Sequence, residues 1–143
     1  MASKLYGNFL KLALNKEVDW DTDTIKVALL SNAYTPDQDA HDYFNDVSAN
    51  EVSGTGYTAG GNTLASKTIT YDSGSNVITL DAADTTWSSS TITARYAVVY
   101  GSTGTASSSP LIGYVDFGSD QSSSNGNFTI TWDATGIVRI TVA

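Results

Sequence analysis

The sequence predicts a mainly β protein, an antiparallel β-sandwich or jelly-roll-like domain with one short N-terminal α-helix. Three observations predict it: short period-two apolar runs from residue 64 onward, Gly, Ser, Asn and Asp clusters between them, and a single stretch of helical spacing near the N-terminus. A chain of 143 residues has room for one domain, 1-143, with one core that needs neither disulfide nor metal to fold. The absence of cysteine excludes thiol nucleophiles, thiolate zinc sites and iron–sulfur clusters.

Leu5, Phe9, Leu12 and Ala13 recur at helical spacing within 3-15, with Ser3 placed as N-cap and Lys11 and Lys16 toward the C-terminal end. Asp19, Asp21 and Asp23 read as a loop, so the helix is expected to end near Asn15. Residues 24–30 change to period two and are apolar enough to be covered on both faces, as an inner strand is. Over 31-61 the patterning is lost. Pro36, four glycines and acidic positions such as Asp37, Asp39, Asp42 and Asp46 predict a long acidic, Gly-rich loop with one helical turn near 39–44. Loops of that length inside compact domains commonly carry function, so this one is expected to make contacts.

The remaining strands are expected at 64–71, 77–80, 91–100, 111–117, 127–133 and 137–142. Asp72–Asn76 and Asp133–Gly136 have hairpin length and are expected to join antiparallel neighbours. Alternation places Ile69, Tyr71, Phe128, Ile130, Trp132, Val138, Ile140 and Val142 in the core, and the unbroken apolar run 96–100 looks central. The Ser/Thr/Gly-rich stretches 101–110 and 118–126 read as solvated hairpin tips.

Seven bases against 15 acids give a net charge of −8, which repels nucleic acid and anionic lipid at long range. No apolar run at the N-terminus is long enough for a signal peptide or membrane anchor. The Asp19-Trp20-Asp21-Thr22-Asp23 run starts like a calcium loop, but Thr24 and Leu30 stand where the motif needs Gly and Glu, so no metal is expected. Gly54–Gly61 lacks the Gly-Lys-Ser/Thr of a phosphate loop, and no cofactor is expected. His41 is the one histidine, no Gly-x-Ser-x-Gly turn occurs, and no spacing selects a carboxylate pair; an enzyme is not expected. Asn127-Phe128-Thr129 matches the glycosylation pattern within an expected strand and is read as chance. Trp20, Trp87 and Tyr57, in or beside loops, are the aromatics expected to be exposed, and they would serve a glycan-stacking surface.

The segments 21–30, 34–41, 54–61, 94–100 and 111–118, in that order, resemble a family of small structural proteins of tailed bacteriophage particles. The resemblance covers nearly the whole chain and describes a fold more than a chemistry. It implies a non-enzymatic virion component on the outer surface of the phage head: a capsid decoration, or cement, protein. Its partners would be the major capsid protein and further copies of itself, with a homotrimer favoured. A tail, neck or fibre-associated component and a glycan-binding module on the particle surface are the alternatives. Candidate contacts to capsid or to another copy are Leu5, Phe9 and Leu12 on the helix, with Asp37, Asp39, His41, Tyr43 and Phe44 in the acidic loop. A helix that merely caps the core is the competing reading.

Overall fold

A computed structural model describes residues 2–143. The protein is mainly β, with antiparallel sheets and one short helix. The N-terminal segment departs from expectation. It forms a strand, β1 (Ala2–Leu5), and then a six-residue helix, α1 (Phe9–Leu14), ending at the C-cap Asn15. Ser3 therefore lies in a strand, and Leu5 does not share the helix with Phe9 and Leu12. The helical spacing held only from Phe9 on; β1 gains all its backbone pairing from a partner 110 residues away, which no local pattern encodes.

The central sheet has the order β1-β8-β7-β2-β3 and contains β2 (Ile25–Leu30), β3 (Asn62–Thr63), β7 (Thr93–Gly101) and β8 (Leu111–Ser122). A three-stranded sheet runs β10-β5-β4, from β4 (Thr68–Asp72), β5 (Val77–Asp81) and β10 (Val138–Thr141). A third sheet pairs β6 (Thr85–Ser90) with β9 (Gly126–Ile130). The β4–β5 hairpin matches expectation. Asp133–Gly136 does not join neighbours, because β9 pairs with β6 and β10 with β5. The stretch 118–126 is mostly exposed, as expected, but it is not a hairpin tip: β8 continues to Ser122, where it pairs with Thr93.

Both faces of the central sheet are covered, which is why β2 and β7 are apolar without alternation. On one face Ile25, Val27, Leu29, Ala97, Val99, Ile112 and Val115 pack with Leu80, Trp87, Phe128, Ile130, Trp132 and Val138 from the smaller sheets and with Phe9 of α1. On the other, Ala28, Leu30, Val98, Tyr100 and Leu111 pack with Tyr6, Tyr34, Phe44 and Val47. Trp20 and Trp87, expected at the surface, are 6% and 2% exposed, and Tyr57 is half-buried against Trp87. Burial of so much aromatic surface outweighs their position beside loops. The indole N–H groups of Trp87 and Trp132 are buried with no hydrogen-bond partner among the described residues, a cost of about 1–3 kcal/mol each that ring packing must offset. Ile69 and Tyr71, expected in the core, are 51% and 57% exposed. Val142 is also exposed and Ile140 is half-buried. Among the described residues, no helix is long and apolar enough to cross a membrane.

Candidate functional site

The loop between β2 and β3 is ordered by its own side chains. Near the helical turn expected at 39–44, the His41 amide closes a turn on the Asp37 carbonyl at 3.1 Å, and two 3₁₀ turns, Phe44–Asp46 and Ser48–Asn50, follow it. Phe44 stacks on Tyr100 with ring centroids 4.1 Å apart, and the amide of Phe44 donates to the carbonyl of Ser109 at 2.9 Å. Tyr34 meets Tyr96 edge-on at 5.3 Å, and Tyr6 packs on Tyr114 at 5.4 Å. The Tyr6 and Tyr34 hydroxyls are 2.7 Å apart, and the Tyr34 hydroxyl lies 3.1 Å from His41 Nδ1. The amide of Asp37 also donates to Nδ1, at 3.3 Å. His41 thus terminates a buried phenol chain and holds the loop to the sheet.

The expected contact residues do not form one surface. Phe9 and Leu12 are each 5% exposed and belong to the core side of α1; its outward side chains are Leu10, Lys11 and Leu14. Leu5 is half-buried, its carbonyl accepting from Gln38 Nε2 at 2.6 Å. Asp37 and Asp39 are exposed, His41 and Tyr43 half-buried and Phe44 buried. The Tyr43 hydroxyl donates to Glu17 Oε2 at 2.7 Å, and that carboxylate holds the phenol above its ordinary range. What the structure does bring together is the N-terminal segment and the acidic loop: Asn8 Nδ2 donates to Asp42 Oδ1 at 2.5 Å, and Gly7 N to the Gln38 carbonyl at 2.8 Å.

The acid excess is mostly turn chemistry. Asp37 Oδ1 accepts from the amides of Asp39 and Ala40, and Asp46 Oδ2 from those of Asp42 and Tyr43. Asp19 accepts from Asp21 and Thr22, and the Thr22 amide foremost holds its carboxyl below the ordinary range. Asp72, bonded to Ser75 and Gly74, and Asp133, bonded to Thr135, are lowered in the same way. The one ion pair among the described residues joins Arg95 Nε to Asp116 Oδ1 at 2.7 Å.

Two arrangements escaped sequence reasoning. Glu51 Oε1 accepts from the Tyr57 hydroxyl at 2.5 Å and the Gly60 amide at 2.6 Å, while the Tyr57 oxygen accepts from the Leu29 amide at 3.0 Å. In the sequence Glu51 is one more acid of the acidic, Gly-rich loop, and nothing local marks it as the partner of Tyr57 and Gly60. In the second, the Lys67 ammonium fills the Asp19–Asp23 loop. It donates to the carbonyls of Trp20 at 2.7 Å and Asp21 at 3.3 Å, and to that of Asp23. The Trp20 indole in turn donates to the Thr68 carbonyl at 2.9 Å. A cation does occupy the calcium-like run, and it is the protein's own. Among the described residues no group of three or more His, Cys, Asp or Glu could hold a metal ion. Lys67→Met should lower the stability by about 2 kcal/mol through the loss of charge-assisted hydrogen bonds, read from the urea midpoint. An unchanged midpoint would mean that water replaces the ammonium at no cost.

A depression of about 330 Å³ lies between β1 and the 133–139 segment. Ser3, Lys4, Leu5, Asp133, Ile137 and Arg139 are among its lining residues. No protein-family model, no curated protein and no solved structure matches the chain.

Proposed function

We propose that the protein is a non-enzymatic structural component of a tailed-bacteriophage particle. In this reading it is a capsid decoration protein with a sandwich-like fold that binds the major capsid protein on the outer shell as a homo-oligomer, a trimer by preference. The observation that carries the reading is where the family-like segments fall. Segments 21–30, 94–100 and 111–118 include β2 and most of the paired parts of β7 and β8, 34–41 holds the Tyr34–His41 latch, and 54–61 holds the turn locked by Glu51. The resemblance therefore lies in scaffold residues, as suits a protein whose work is to be a rigid contact. Binding only the mature shell would stabilise it by mass action, and many copies across subunit junctions add contacts that must break together.

Copy number per purified particle, measured by mass spectrometry against the major capsid protein, tests this. A number comparable with the shell subunit is expected. A few copies would move the protein to neck, tail or fibre, and absence from the particle would overturn the assignment. The glycan alternative loses its platform, because Trp20 and Trp87 are buried.

A further inference from the structure

The three-stranded sheet overhangs the core. Cross-strand pairing sets Ile69 beside Leu80 and Val138, and Tyr71 beside Ile78 and Ile140, so all six point to one face. Leu80 and Val138 are buried under the central sheet, and Ile78 and Ile140 lie at the margin of that core. Beyond the margin Ile69, Tyr71 and Val142 are 51%, 57% and 46% exposed. Val142 stays in register, its amide donating to the Asn76 carbonyl at 2.8 Å. The sequence thus writes an interior face onto these strands, and one copy of the chain leaves about half of it open to water.

We propose that this overhang packs against the same overhang of a second copy, sheet on sheet. The charge distribution selects that occupant. A chain of net charge −8 repels its own copies wherever carboxylates meet. This face carries no charged side chain: Asp72 and Asp81 pair with Val77 and Thr68 in the alternate register and point to the opposite face. A two-fold contact sets a patch against itself, so it demands self-complementarity, which an uncharged apolar surface supplies. Three side chains about half exposed make a small patch, so the association is expected to be weak and to depend on concentration. The inference bears on the homo-oligomer part of the proposed function, where it sets a two-fold pair in place of the trimer, and it is read on the isolated protein and does not depend on the particle.

Sedimentation velocity from about 1 μM to about 1 mM tests it, with circular dichroism confirming the fold of each variant. The wild-type mass should rise reversibly with concentration. Ile69→Glu and Ile69→Lys, both at an exposed position, should each weaken association at least tenfold, about 1.4 kcal/mol. Mixing the two should restore part of it, since the patches that meet then carry opposite charges in place of like ones. A wild type that stays monomeric throughout overturns the proposal. Association that neither variant alters also overturns it, and leaves oligomerisation through another surface standing.

Discussion

Gly61→Ala is expected to cost more than about 4 kcal/mol, enough to leave a domain of ordinary stability largely unfolded. Gly61 has φ +74°, a region that side chains with a Cβ adopt only under strain. Its amide closes a turn on the Thr58 carbonyl at 2.9 Å, delivering the chain into β3 against β2. The closure lays the Gly61 Cα directly on the β2 backbone, where a methyl group would overlap the Val27 carbonyl oxygen. Since Val27 is paired with Val99 of β7, the strand cannot move aside without breaking that pairing. Gly104→Ala is the control. Gly104 has φ +87° and open space around it, so that variant should lose only about 1 kcal/mol of backbone strain. Equal urea midpoints for the two variants would show that close approach contributes nothing beyond the dihedral angle.

Alkali should unfold the protein steeply just above pH 10. Burial pushes the Tyr34 and Tyr100 phenols up to about 12. Tyr6 and Tyr57 are raised further, by burial first and then by their bonds to Tyr34 and Glu51. Unfolded, all four ionise near the ordinary value of about 10. Their contribution is therefore fully present below pH 10, and it is lost as pH rises toward the folded values, because there the unfolded chain holds fewer protons. Each group removes about 1.4 kcal/mol per pH unit in that window, so the four together remove about 5 kcal/mol by pH 11. Tyr57→Phe should make the decline about one quarter shallower, whatever its effect on stability at neutral pH. Tyrosinate absorbance and circular dichroism, followed together, check this. Smooth ionisation of all eight tyrosines near pH 10 with the fold intact would refute the burial-driven shifts.

The strands β2, β5, β7, β8 and β9 were legible because their apolar periods describe what covers them. The strands β1, β3 and β6 were not. Ala2–Leu5 and Asn62–Thr63 are too short to show a period, and Thr85–Ser90 is mostly hydroxyl side chains whose strand character comes from pairing with β9. Ile69 and Tyr71 were read correctly as one face of a strand, but alternation reports which side chains share a face and not how far the opposing layer extends. The acidic loop was legible as a loop. Its organisation was not, because Asp37 and Asp46 spend their carboxylates on amides within a few residues, whereas Glu51 reaches Tyr57 and Gly60, and Lys67 the Asp19–Asp23 run, through contacts only the fold creates.

The pairing of Ala2 with Asp116 sets a timetable for synthesis. At ribosomal rates of about 5–20 residues per second, β1 waits roughly 6–20 s for β8 to be made. During that interval the neighbouring Tyr6 lacks both the Tyr114 ring and the Ile112 carbonyl that later receives its amide at 3.1 Å. Ala2–Leu5 is thus made well before the strand that seats it, and it stays an unpaired β-edge until β8 emerges.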